Sequence, residues 1–298
     1  MRFDPNFSSS VLDGITQSDA AFQTAEQQLS TGLRVNQASD DPAAAAAYTQ
    51  NQTALAAVDQ YTTNTSSALS MAQTASSALS SVVSLLTQAV TLGTAAATPV
   101  SESSEKSSLA AEAQGILASI VSAANTTFAG VAVFGGSSGS STAFVSDSSS
   151  TTGYSYAGSS NANDAQIGTT LSVTTGLPGS TVFTQTGSSV LGAMSQLVSS
   201  VTSGSSTQIA AATNAVTNAL NYVSQQQASI GDTITTLNTQ DNYLGQEKVT
   251  LSAQQSSLVD ISSATAAENV NNAQIQNSAV LAAAAKILPE SLLNFLNK

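Results

Sequence analysis

"LSTGLRVNQASDDPAAAA" occupies positions 29–46, and its reading decides the fold. The residues before it step by four and three: Val11, Ile15, Ser18, Phe22, Ala25, Leu29. That is the heptad spacing of a coiled-coil seam. Gly32 then stands where a left-handed C-terminal cap belongs, with Leu33 able to fold back on the helix. Asp41 precedes Pro42, an aspartate N-cap followed by proline at the first helical position. Asp40 adds negative charge near the positive end of the new helix. The stretch therefore punctuates two helices. Arg34, one of two arginines in the chain, has two readings: an ion pair with Asp40 or Asp41, or a contact with another subunit.

Beyond the break the heptad continues through Leu55, Val58, Thr62, Thr65, Leu69, Ala72, Ser76, Leu79, Val83, Leu86 and Val90. A helix from Asp41 to Val90 would be roughly 75 Å long. A third helix reads through Leu109, Ala113, Ile116 and Ile120. The C-terminal part repeats the signal from Val216, Leu220, Val223 and Ile230 to Leu237, Leu244, Leu251 and Leu258, with Gln227, Asp241, Lys248 and Gln255 as polar members. A last helix is expected over 264–287, stopped by Pro289, with an apolar tail of Leu292, Leu293, Phe295 and Leu296. Between the helical arms, Phe128 to Ser189 is rich in Gly, Ser and Thr. "AFVSD", "GYSYAG" and "TTLSVTTG" read there as strands separated by turns. "SVLGAMSQLVSSV" then returns to helix, with Val190, Met194, Leu197 and Val201 on one face.

The expected fold is mainly α: a long antiparallel coiled-coil rod formed by the N- and C-terminal arms, carrying a small β-rich insertion domain. Three parts follow: a terminal coiled-coil domain (1–32 and 264–298), a helical rod domain (33–128 and 189–263), and an outward insertion (129–188).

Composition narrows the function. The chain has 298 residues, no Cys and no His; 8% of residues are charged and the net charge is −12. A usual charged share is about 25%. The acidic balance disfavours nucleic-acid binding. Without Cys or His there are no disulfides, no usual zinc or copper site, and no Ser-His-Asp or Cys-His mechanism. No phosphate-binding G-x-x-x-x-G-K-[ST] loop is present and no nucleophile elbow is expected. No enzyme, cofactor or metal is expected. The start of the chain lacks the apolar segment of a cleaved signal. No apolar run is expected to reach the ~20 residues that span a bilayer.

Four stretches carry a resemblance, the return from the insertion to helix at "GLPGSTVF" to "VLGAMSQLV" among them. Leu29–Ala46 resembles the N-terminal signature of the flagellin superfamily. "NTTFAGVAVFGGSSG" (Asn125–Gly139) and "AAAAKILPESLLNFL" (Ala282–Leu296) are similar to elements of the hook-associated branch, the second with Asn294 where that branch usually has Asp. The resemblance implies a structural protein of the bacterial flagellum at the hook–filament junction. Terminal helices of many copies would form an inner tube, and export would go without a cleaved signal to an extracellular place. Implied partners are other hook-associated proteins and flagellin, further copies in a ring, and a cytoplasmic export chaperone at the C-terminal region, with no nucleic acid and no membrane. Val11, Ile15, Phe22, Leu29, Leu281, Leu292, Leu293, Phe295 and Leu296 are the expected assembly residues. Gly32, Arg34, Asp40, Asp41 and Pro42 form the break. A flagellin filament subunit and a coiled-coil surface adhesin or tip protein are the alternatives.

Overall fold

A computed structural model describes the backbone of residues 7–98 and 103–296 and the side chains of 9–98 and 104–286. The helices are α1 (Phe7–Thr31), α2 (Pro42–Ala97), α3 (Ser103–Ala124), α4 (Gly179–Phe183), α5 (Val190–Ser203), α6 (Ser206–Val259) and α7 (Ser263–Leu296). Between α3 and α4 lie three antiparallel strand pairs: β1 (Thr127–Phe128) with β2 (Val131–Ala132), β3 (Phe144–Ser146) with β4 (Tyr154–Tyr156), and β5 (Asn163–Gln166) with β6 (Ser172–Gly176). The mainly α architecture with a small β-rich insertion is therefore as expected. The chain divides into two compact units, one of residues 1–57 and 247–298 and the other of 58–246.

The larger unit holds the main core. Its α2 and α6 run antiparallel, since Gly93 of α2 lies against Thr213 of α6 while Asn64 and Gln240 reach adjoining carbonyls. The buried face of α2 is a heptad column of Thr65, Ala68, Ala72, Ala75, Leu79, Val82, Leu86 and Ala89. The expected seam shares Thr65, Ala72, Leu79 and Leu86 with it. It errs by one position at Leu69, Ser76, Val83 and Val90, which are only half-buried. Small residues at 68, 75 and 89 permit close packing, so the seam is centred on them and not on their larger neighbours. On α6, Ile209, Val216, Val223, Ile230, Leu237 and Leu244 are buried at strict seven-residue steps. Lys248, expected on that seam, is exposed. The return helix α5 buries Val190, Met194, Leu197 and Val201 as expected, and Ser189 caps it by accepting a hydrogen bond from the Gly192 amide.

By length and composition, α2 is apolar enough to cross a membrane, contrary to expectation. Its Leu79, Val82, Leu86 and Ala89 are fully buried among other residues of this unit, so part of that apolarity belongs to the core.

The insertion shares the helices' core. Phe134, Phe144, Ile167 and Phe183 join the same buried cluster as α2, α3, α5 and α6. Phe183 meets Phe134 and Phe144 edge-on, with ring centroids 5.2 and 5.5 Å apart. This is the favourable geometry for aromatic quadrupoles. Asn125, just past α3, bonds β3 and the residue before it: its Nδ2 donates to the Phe144 carbonyl, and its Oδ1 accepts from the Ala143 and Phe144 amides. The Asn64 and Gln240 side-chain amides donate to the Gln166 and Ile167 carbonyls at 2.8 and 2.9 Å. These bonds fasten the β5–β6 hairpin across α2 and α6.

Strands β3, β4 and β6 fall in the three stretches expected to be extended. The short β1–β2 hairpin and β5 were not expected. The β1–β2 turn has Ala129 at φ 50° and Gly130 at φ 83°. Two successive positive φ values are what a two-residue type I′ turn requires. The helix α7 is not stopped at Pro289 but runs to Leu296. A proline removes one amide donor, here the one that would bond the residue 285 carbonyl, and a helix continues where its other bonds hold.

Candidate functional site: a clasp between two helix breaks

In the smaller unit α1 ends as its sequence demands. Gly32 adopts φ 70°, and its amide donates to the Gln28 carbonyl at 2.9 Å, the single-bond left-handed cap. The Leu33 amide donates to Thr31 Oγ1 at 3.2 Å. Leu33 pairs as an isolated antiparallel bridge with Asp260, and its side chain packs against Val35, Ala44 and Val259. Asp41 is the N-cap of α2: its Oδ1 accepts from the Ala44 amide at 3.0 Å, and Pro42 is the first helical residue. Asp40 also has a task that the sequence did not announce. Its Oδ2 accepts from the Asn36 and Gln37 amides, both at 2.9 Å, and so closes the loop.

Arg34 joins the two breaks. Its Nη1 donates to Asp41 Oδ2 at 3.1 Å, the ion pair expected with one of the aspartates. Its Nη2 donates to the Leu258 carbonyl at 2.8 Å, in the last turn of α6. That carbonyl lacks an intrahelical partner, and a cation there also complements the negative end of the helix dipole. The backbone reinforces the join: Arg34 N donates to Val259 O at 2.6 Å, and Ile261 N to Gly32 O at 3.0 Å. Gln28 Nε2 donates to the Arg34 carbonyl at 2.9 Å, tying in the last turn of α1. The second break closes with Ser262, whose Oγ accepts from the Thr265 amide and so caps α7. The Asp41 carboxyl is held below its ordinary pKa, first by the Ala44 amide and next by the Arg34 guanidinium. Beside the loop lies a pocket of ≈ 260 Å³ whose lining, Leu33, Val35, Tyr48 and Val259 among it, is uncharged.

The terminal helices α1 and α7 pack antiparallel: Asn277 Nδ2 donates to Asp19 Oδ1 at 2.6 Å, and Leu33 meets Asp260. Among the described residues their buried contacts are small: Ala25 on α1, and Ala266, Ala273 and Ala284 on α7. The larger residues stay partly in water. Val11, Ile15 and Phe22 are half-buried, whereas Leu29 is 44% exposed and Leu281 49%. Leu12 and Ile275, not expected as assembly residues, are more exposed still. The backbone at Leu292, Leu293, Phe295 and Leu296 belongs to α7, but their side chains lie outside the described residues.

Sequence reasoning missed Gln28, Leu258, Asp260 and Ser262. Only Ser262 carried a local signal, as a serine three residues before Thr265. It also missed that Gly135–Gly139 has the G-x-S-x-G spacing. That stretch is a short 3₁₀ turn at Gly136–Ser138, where Ser137 Oγ donates to Ser159 Oγ at 3.0 Å. An esterase elbow instead sits on a strand-to-helix turn and needs a histidine, which this chain lacks. Among the described residues no three of His, Cys, Asp or Glu gather as a metal site.

The model of the bacterial flagellin N-terminal helical region matches residues 6–139, and that of the C-terminal helical region matches 213–296. No curated protein sequence matches the chain. Among solved structures, the fold is similar to a Vibrio parahaemolyticus protein assigned as a flagellar hook-associated protein. The TM-score is 0.67 at 18% identity, over 74% of this chain and 100% of that one. It is also similar to FlgL of Bacillus cereus (0.59, 20% identity, 70% and 99% covered). A third is the flagellar junction protein FlgL of Legionella pneumophila (0.57, 16% identity, 72% and 100% covered).

Proposed function

The chain belongs to the bacterial flagellin family, and from that premise we propose that it is a structural protein of the hook–filament junction. It is a flagellar component, and its work is assembly and not catalysis. The observation that carries the junction reading is the near-complete coverage of the similar junction-protein folds, with an insertion fastened onto the helices. The terminal pair α1–α7 supplies the physical means. It buries alanines within the chain and leaves Leu29, Leu281 and Ile275 for other copies. Each such aliphatic side chain fully buried on assembly contributes about 1.5–3 kcal/mol. Copies form a ring at the end of the hook, outside the cell. The C-terminal region holds the export chaperone before assembly.

A deletion strain tests the reading. It keeps its hooks and sheds flagellin monomers into the medium, and antibody against the chain labels a band at the hook–filament boundary of the parent. The family models favour one rival, a filament subunit, since both describe flagellin helical regions. Label along whole filaments would establish that rival, and label on cell bodies without flagella would establish an adhesin.

A further inference from the structure

We infer that Arg34 is a positioning residue: by bonding α2's cap and α6's end at once, it holds the two helix breaks together, and so sets where α1 and α7 are presented for assembly. The part that concerns assembly rests on the junction reading; the clasp itself does not.

Three observations carry it. First, the guanidinium is used within the chain, with Nη1 on Asp41 and Nη2 on the Leu258 carbonyl, 224 residues away in sequence. Arginine suits this because its planar fork aims two donors in fixed directions, whereas a lysine ammonium is a single point of charge. Second, the breaks share little apolar contact, with Val35, Ala44 and Val259 as the buried members. Polar bonds must therefore fix their relation: Arg34 N to Val259 O, Ile261 N to Gly32 O, and the side-chain fork. Third, α1 and α7 begin their pairing at this point, with Leu33 against Asp260, and continue it to Asp19 and Asn277. A clasp that loosens frees both helices together. The other reading of Arg34, a bond to a neighbouring copy, would draw on the N–H donors that these two bonds leave over.

The full-length chain tests this in two arms. It contains no Cys, so an engineered pair supplies the only thiols. Leu33 and Asp260 are directly opposite in an antiparallel bridge, a Cα spacing that a disulfide can span. Arg34→Ala speeds exchange of the Ile261 amide in the monomer by about tenfold, a local opening. It leaves unfolding of residues 58–246 unchanged and lowers assembly measured by sedimentation. Adding Leu33→Cys with Asp260→Cys, oxidised, restores slow exchange and assembly, and reductant removes both. The cysteine pair in an otherwise unaltered chain assembles with or without reductant. Unchanged exchange in Arg34→Ala would overturn the clasp. Assembly still lost when the crosslink has restored slow exchange would overturn the positioning role and give Arg34 to a neighbouring copy. If the unaltered chain does not assemble at all, the junction reading fails, while the exchange arm still decides the clasp.

Discussion

Two side chains show how much a single residue decides here. Asn51 is buried in α2, and neither its Oδ1 nor its Nδ2 has a partner among the described residues. An unpaired buried amide costs roughly 1–3 kcal/mol. Asn51→Leu should therefore raise the urea midpoint of the smaller unit; a lower midpoint would show that the amide is bonded. Asp41 works in the opposite sense. Its folded pKa lies below the ordinary 3.8, so its contribution is complete above that value and is lost as pH falls through the lower folded one. Protection of the Ala44 amide, corrected for intrinsic exchange, should decline over that acid range in the native chain. In Asp41→Ala it should be low throughout. The caps at Gly32 and Asp41 were legible because capping is a contract between residues three or four apart. The fork of Arg34 was only half legible: Asp41 is seven residues away, but nothing local announces Leu258.

At the scale of elements, the heptads of α1, α2 and α6 were legible as periods, and the error lay in phase. Reading by size puts Leu69, Val83 and Val90 on the α2 seam. The structure puts Ala68, Val82 and Ala89 there, because small residues let neighbours come close. A pair of substitutions distinguishes the two phases. Val82→Ala empties a fully buried site and should cost about 2 kcal/mol, whereas Val83→Ala, half-buried, should cost under about 1. Chemical denaturation of both variants reads the difference. The strands at "AFVSD" and "GYSYAG" showed themselves through aromatic residues among turn formers. β5 did not, since "NDAQ" has no strand composition and is held by amides reaching from α2 and α6.

The whole molecule is unevenly stabilised. The larger unit buries Phe134, Phe183, Leu79, Leu86, Met194 and their neighbours in one cluster. The smaller unit has the Val35–Ala44–Val259 cluster and a line of alanines. Burial of apolar area scales with stabilisation, so the smaller unit should open first. Urea should then unfold the monomer in two steps, with exchange at α1 and α7 lost before exchange at α5; a single coincident transition would contradict this. That inequality was not legible in the sequence. The heptads look alike at both ends, and only the packing shows which of them meet large side chains.

Along the helices, serine and threonine hydroxyls donate back to the carbonyl four residues earlier, as at Thr49, Ser70, Thr87, Thr235 and Thr239. The surface is thus polar with hardly any ionic groups: 8% of residues are charged, against an accessible area of 16436 Å². What charges there are gather locally, as where Arg34 meets Asp41 beside Asp40. Hydroxyls and amides hold water without a net charge, so dissolved ions, which act on charges, leave most of this coat untouched.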